Sequence, residues 1–201
     1  MKASGSQSLG RRSSRPLRVR RRAAFLDRDG TLIKFVKVLK SPSQIKVFKT
    51  APAAVKLLNK LGYLCIVLTN QPIIEKGIIT LAQSDRLNET VKRKFLRKGA
   101  RLHAFYTCPH KYGTDCSCRK PDVGLIKQAV KDFGIDLKKS FLIGDTTRDN
   151  ETGRRADITT ILVKTGKAGG GEDAKFFKTK ADYMARNVLA AAKIIESLTE
   201  K

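Results

Sequence analysis

Ala23-Ala24-Phe25-Leu26 runs without a break into Asp27-Arg28-Asp29-Gly30-Thr31-Leu32. A continuous apolar run ended by turn chemistry is a buried strand, and this one delivers two carboxylates one residue apart at its tip. Alternation along an extended chain puts Asp27 and Asp29 on the same side, and Gly30 can take the backbone conformation that a sharp exit needs. Two carboxylates that close repel unless a cation lies between them. Taken alone, an acid pair of this kind reads equally as a strand followed by an Asx-type turn.

The residues downstream repeat the same unit. Ile33 to Val47 alternates Lys with Phe, Val and Ile around Ser41-Pro42-Ser43 and predicts a hairpin-like flap beside the strand tip. Helical spacing from Ala51 to Leu61, with Pro52 in the first turn and Gly62 behind it, predicts a helix. Tyr63 to Leu68 is a second continuous apolar run, and Thr69-Asn70-Gln71 is its polar tip. Thr80 to Lys98 predicts a long helix with Leu81, Leu87, Val91 and Phe95 on its apolar side, followed by a short strand from His103 to Thr107. Asp122 to Phe133 predicts an amphipathic helix, and Ser140 to Ile143 a strand ending in Gly144-Asp145-Thr146-Thr147-Arg148-Asp149. A helix from Asp149 to Ala156, a fifth strand from Thr159 to Val163, a mobile loop at Gly169-Gly170-Gly171 and a helix from Asn187 to Leu198 complete the chain.

Strand, helix, strand in repetition, with unbroken apolar strands, predicts an α/β fold: a doubly wound, Rossmann-like parallel sheet with right-handed crossovers. Asp27, Asp29, Thr69 and Asp145 then share the carboxyl ends of the strands, where such sheets bind ligands. Cys65 is expected as a small buried apolar residue and His103 as an ordinary strand residue.

Charge and cysteine usage narrow the partners. The 201 residues fit one domain with a real core. The formal charge of +24 implies attraction to phosphate-bearing molecules, small or polymeric. Residues 1–22 hold eight Lys or Arg and no acid, which reads as a disordered basic arm or, alternatively, as an organellar transit peptide. Setting those eight charges aside leaves +16 on residues 23–201, so the folded part is itself basic. With no bilayer-length apolar run and no secretory block at the start, a cytoplasmic protein is expected.

Cys108, His110, Cys116 and Cys118 fall within eleven residues, directly before Arg119-Lys120-Pro121. Three thiols and an imidazole at this spacing suit a closed, tetrahedral structural Zn2+ better than disulfides. That ion would pin the loop carrying Arg119 and Lys120.

In order, Asp27-x-Asp29-Gly30-Thr31, Thr69, Lys120 and Gly144-Asp145-x-x-x-Asp149 resemble the haloacid dehalogenase superfamily of phosphotransferases. With Thr69-Asn70-Gln71 and the Cys/His loop, the chain is similar to its capless branch of heptose bisphosphate and histidinol-phosphate phosphatases. Asn150, Thr152 and Asp157 depart from the usually small or apolar residues after the last acidic motif, and Thr146 stands where some members carry lysine. The resemblance implies Mg2+ held by Asp27, the backbone carbonyl of Asp29, and Asp145. It further implies Asp27 as nucleophile, Asp29 as acid and base, and Thr69 and Lys120 on the phosphoryl oxygens. Thr31, Asn70, Gln71 and Arg119 would contact substrate, Arg119 on a second phosphate, and Asp149 would support the site through Lys120 or water. The intervals between motifs leave no room for a separate cap domain.

Three functions stay open on sequence. A sugar bisphosphate phosphatase, acting on D-glycero-D-manno-heptose 1,7-bisphosphate, is favoured by Thr69-Asn70-Gln71-Pro72 and Lys76-Gly77. The five residues between His110 and Cys116 look more like the histidinol-phosphate branch. A polynucleotide 3′-phosphatase, or nonspecific nucleic-acid binding through the arm, is suggested by charge but opposed by few stacking aromatics. A monomer without membrane partners is expected.

Overall fold

The computed structural model describes residues 20–167, 175 and 177–200. In chain order it contains β1 (Ala23–Asp27), α1 (Ala51–Lys60), β2 (Leu64–Asn70), α2 (Leu81–Leu96), β3 (Ala104–Cys108) and α3 (Gly124–Phe133). β4 (Phe141–Gly144), α4 (Thr147–Ala156), β5 (Thr159–Val163), β6 (Tyr183–Ala185) and α5 (Val188–Thr199) follow. The strands form one sheet in the order β3-β2-β1-β4-β5-β6, every neighbouring pair parallel. The chain runs outward from β1 to β3, then returns to lay β4 against the other edge of β1. That reversal puts the switch point of the doubly wound sheet between β1 and β4, at Asp27 and Asp145.

Alternating side chains of the same strands feed two cores. Ala24, Leu26, Cys65, Val67 and Ile143 pack with residues of α1, α2 and α5, whereas Ala23, Phe25, Ile66, Leu68 and Leu142 pack with α3. Cys65 is fully buried and its thiol is pushed up to about 12, by burial first, as an apolar filler should be. Local chemistry sets the helix ends. Thr80 caps α2 reciprocally, its hydroxyl accepting from Gln83 N at 3.1 Å while Gln83 Oε1 accepts from Thr80 N at 2.7 Å. Asn187 caps α5 through Ala190 N.

Several expectations are corrected. The flap is hairpin-like only at its base, where one antiparallel bridge, Ile33 to Val47, closes it, and Pro42–Gln44 forms a 3-10 turn. Lys34 N donates to Lys46 O and Phe48 N to Leu32 O, and the pairing goes no further toward the turn. Leu81 is 51% exposed at the start of α2 and is not part of its buried face. His103 precedes β3, with its Nδ1 accepting from Cys65 N at 3.0 Å. β6 was not expected; its three residues, two of them exposed, are too few to show a strand period. Arg21 and Arg22, assigned to the arm on sequence, belong to the fold: Arg21 pairs with Gly134 and Asp136, and Arg22 Nη2 donates to Leu61 O. The rest of the arm, residues 1–19, and the loop expected at Gly169–Gly171 lie outside the described residues. Among the described residues no helix is long and apolar enough to cross a membrane.

Candidate active site

The tips of β1, β2 and β4 open into a cavity of about 260 Å³. Asp27, Asp29, Thr69, Asn70, Gln71, Arg119, Lys120, Asp145 and Asp149 all line it, so the expected catalytic, Mg2+ and substrate residues other than Thr31 converge there. Thr31 does not; it is fully buried and its hydroxyl has no hydrogen-bond partner.

Lys120 is the hub. Its Nζ lies 2.6 Å from Asp27 Oδ1 and 2.6 Å from Asp149 Oδ1, with the lysine only 3% exposed. Burial works against its charge, but Asp149 and Asp27 outweigh that and hold its pKa above the ordinary lysine value. Asp149 is in turn fixed by Thr146, whose backbone N–H and hydroxyl both donate to its Oδ2 at the start of α4. This cap explains why α4 begins at Thr147, two residues earlier than the sequence suggests. Asn70 holds the Lys120 backbone from both sides, donating to its carbonyl and accepting from its N–H, each at 3.1 Å.

Asp29 sits in a separate hydrogen-bond net. Its Oδ2 accepts from Arg28 Nη2 at 2.9 Å, Arg28 Nε at 3.1 Å and Gln71 Nε2 at 2.8 Å. Gln71 also donates to Thr69 Oγ1 at 2.7 Å. Arg28 is 1% exposed, and its Nη1 donates to Asn88 Oδ1 at 2.7 Å, while Asn88 Nδ2 reaches Thr107 Oγ1 at 3.2 Å. A relay from α2 and β3 thus positions the Asp29 carboxylate. Sequence reasoning passed over Arg28 and Asn88; the available signal was a cation wedged between two acids at a buried strand tip.

Asp145 is enclosed by backbone. Gly30 has φ +97°, and a Cβ there would sit 2.3 Å from Asp145 Oδ2; at Gly166 it would sit 2.0 Å away. Both glycines are needed for this approach. Lys167 N donates to Oδ2 at 2.7 Å, whereas the buried Oδ1 has no partner. Burial first, then Asp149, raises the Asp145 pKa to about 6. Burial raises Asp27 well above the carboxylate norm as well, against the pull of Lys120 and with the push of Asp149 and Asp145. An unmatched buried oxygen among crowded carboxylates, all hard donors, fits a divalent cation such as Mg2+.

The rim mixes cations with apolar side chains: Lys37, Arg148 and Lys167 line it with Phe35, which is 53% exposed and carries Lys167 Nζ 5.2 Å from its ring centre. Phe35 and Lys37 come from the flap.

Beyond Lys120 the Cys/His loop closes on itself. The donor atoms of Cys108, His110, Cys116 and Cys118 all lie within 4.8 Å of one another. Cys118 Sγ is 3.2 Å from Cys108 Sγ and 3.2 Å from His110 Nδ1. Tetrahedral coordination with zinc–sulfur bonds of about 2.3 Å needs sulfurs roughly 3.8 Å apart, so small movements would complete such a centre. Arg119 Nη1 donates to His110 O at 2.8 Å, and Glu75 anchors the loop through Lys111 N and Thr114 Oγ1. The residues that depart from the family pattern are absorbed locally: Asn150 donates to Thr179 O and Thr152 to Arg148 O, and Asp157 ends α4 in the left-handed region.

Comparison with known proteins agrees with this geometry. A family profile described as HAD-hydrolase-like matches residues 117–191. The D-glycero-beta-D-manno-heptose-1,7-bisphosphate 7-phosphatase of Pasteurella multocida is 35% identical over 89% of this chain and 98% of its own. The corresponding alpha-anomer enzyme of Photorhabdus laumondii is 33% identical over 87% and 97%. Among solved structures, the D,D-heptose 1,7-bisphosphate phosphatase of B. bronchiseptica, complexed with magnesium and phosphate, superposes with a TM-score of 0.79 at 24% identity, over 90% of this chain and 99% of that one.

Proposed function

The chain belongs to the haloacid dehalogenase-like phosphatases, alongside the heptose-1,7-bisphosphate 7-phosphatases, and on that premise we propose that it hydrolyses D-glycero-D-manno-heptose 1,7-bisphosphate. The observation that carries the proposal is the meeting of Asp27, Asp29, Lys120 and Asp145 in one cavity at the switch point of the sheet.

An Asp27 oxygen attacks phosphorus and the sugar oxygen leaves, giving an aspartyl-phosphate on Asp27. Asp29, held through Oδ2 by Arg28 and Gln71, gives its proton to the leaving oxygen and then takes one from the water that hydrolyses the intermediate. Lys120 exchanges Asp27 for a phosphoryl oxygen while Asp149 keeps its ammonium in place. Thr69 adds a hydroxyl, and Asn70 and Gln71 set Lys120 and Asp29 respectively. Arg119, at the cavity wall, is suited to the second phosphate. Asp27, Asp145 and the Asp29 carbonyl would hold Mg2+, which when bound offsets carboxylate repulsion and screens the phosphate dianion. We assign Zn2+ to Cys108, His110, Cys116 and Cys118 as a structural ion; three thiolate ligands suit a reducing compartment such as the cytoplasm. The unit is a monomeric phosphatase domain preceded by a basic arm.

Phosphate release with Mg2+, compared across the heptose bisphosphate, histidinol phosphate and a 3′-phosphorylated oligonucleotide, tests the reading. The heptose bisphosphate should have the highest kcat/KM; a higher value for either competitor overturns the substrate while leaving the chemistry standing.

A further inference from the structure

At the opposite end of the sheet from the cavity, where β1, β2 and β3 begin, the structure gathers positive charge that the phosphatase reaction does not use. The C-terminal turns of α2 and the loop behind it carry Lys92, Arg93, Lys94, Arg97, Lys98 and Arg101 within ten residues and no acid. Arg93, Arg97, Lys98 and Arg101 are exposed, as are Lys56 and Lys60 at the end of α1.

The fold locks these two helix ends together. Asn59 Nδ2 donates to Arg101 O at 3.2 Å and Asn59 Oδ1 accepts from Arg101 N at 2.8 Å, while a Cβ on Gly99 would lie 3.8 Å from Lys56 Nζ. Arg22 ties the start of β1 to the same corner through Leu61 O and lies 4.7 Å over the Tyr63 ring. The half-buried His103 senses the result: burial first, then Arg101, with Arg21 and Lys92 adding to it, lowers its pKa. Among the described residues no ion pair joins any of these cations to a carboxylate, including Glu89 of α2 and Glu196 and Glu200 around α5. One or two cations suffice to complement a helix C-terminus, so the cluster exceeds what helix stability asks for.

We propose that this corner, built from the ends of α1 and α2 with Arg20 to Arg22, is a docking surface for the phosphate backbone of double-stranded nucleic acid. Cations without carboxylate partners, carried on helix ends that are locked together, match a duplex, which carries one charge per about 1.7 Å of its axis. Single strands are a poorer match, because they bind by stacking and none of the exposed aromatics, Phe35, Tyr112 and Tyr183, belongs to this surface. A bilayer is also a poorer match, since Leu96 is the one large exposed apolar side chain here. No base reading is implied, and the active site, at the other end of the strands, stays open when the duplex is bound.

The test compares the full chain with its Arg97→Glu/Lys98→Glu/Arg101→Glu variant, using anisotropy of a labelled 20-base-pair duplex at several salt concentrations. The full chain should bind in roughly the micromolar range at 0.1 M salt, and the variant at least about tenfold more weakly with a salt slope shallower by about 3. Phosphate release from a small ester should be unchanged in the variant. Should the triple variant not fold, Lys56→Glu/Lys60→Glu at the facing helix end should weaken binding in the same direction. Unchanged duplex affinity in the variants overturns the proposal and leaves the arm as the binder. Tighter binding to a single strand, or to phosphatidylserine vesicles, overturns the choice of occupant.

Discussion

The carboxylate cluster and the Cys/His loop stand side by side and share the residues Arg119 and Lys120, yet they are built in opposite ways. Asp27 and Asp29 ride on and just beyond a fully buried strand, Asp145 follows another, and Asp149 is fixed by the cap of α4. Their geometry is a by-product of sheet formation. Residues 109–123 contain no helix or strand, so the loop takes its shape from its own donor atoms and from its tethers to Glu75 and Asn70. One region would survive loss of any ligand it holds; the other would lose what organises it. Catalytic precision here therefore has two supports, which substitutions can separate.

The sharpest separation comes from Asp27→Asn. Turnover should fall by roughly 10⁴-fold or more, because the amide keeps the shape but is no nucleophile. The fold should stay intact, since Asp149 still pairs with Lys120 while burial disfavours the Asp27 charge against the pull of Lys120. Retention of more than a few per cent of the rate removes Asp27 from its role and, with it, the claim that the strand tips do the chemistry.

Arg28→Met should break the strand-tip support itself. Asn88 and Asp29 lose a buried partner, costing roughly 3–5 kcal/mol, and a displaced acid should lower kcat by on the order of 10²-fold with KM nearly constant. A change confined to KM would mean that Asp29 does not depend on Arg28 for its position.

Cys116→Ser addresses the other region. It should lower unfolding stability by on the order of 3 kcal/mol and open the loop to protease, while kcat on a small ester falls far less than in Asp27→Asn. Elemental analysis of protein prepared without chelators should find one zinc per chain. Absence of zinc would make the contrast between the regions false, because the loop would then hold its shape unaided.

A smaller effect follows from pH. The Asp145 carboxyl is raised from the ordinary value of 3.8 to about 6, so between these limits the metal-free fold binds more protons than the unfolded chain. Stability should therefore decline as pH rises from about 4 to 6, by on the order of 2 kcal/mol, and Mg2+ should restore it above that range. Chemical denaturation at pH 4.5 and 7 with and without Mg2+ measures this; stability that rises with pH in the metal-free protein refutes it. The smallest effect is expected from removing residues 1–19, which hold none of the motif residues and should leave hydrolysis of a small ester unchanged at moderate salt, where charges in water interact weakly beyond roughly 8 Å. A lost rate would mean that the arm reaches the cavity.

The sequence made the sheet legible because its strands are continuous apolar runs bounded by turn residues, and the acids legible because they fall at the ends of those runs. What stayed hidden depends on neighbours far away in the chain. Arg28 has meaning only beside Asn88, sixty residues on, and Lys167 enters through a backbone N–H that no residue type announces. β6 was silent because three residues are too few to show a period, and the alternation of Lys with Phe, Val and Ile in the flap yields only the bridge at its base.

The placement of β1 in mid-sheet has a kinetic consequence. Ala23 N meets Ser140 Oγ across 117 residues of chain, so the contact that seats β4 against β1 closes a very long loop. β1, β2 and β3 can pair as soon as they have been synthesised, but until β4 emerges the other edge of β1 offers unpaired backbone groups and apolar side chains to any passing strand. Folding should accordingly be slow for a chain of this size, with a half-assembled three-stranded intermediate as its aggregation-prone species. Because Asp145 reaches Asp27 only when that edge is covered, competence for phosphoryl transfer should be the last property the nascent chain acquires.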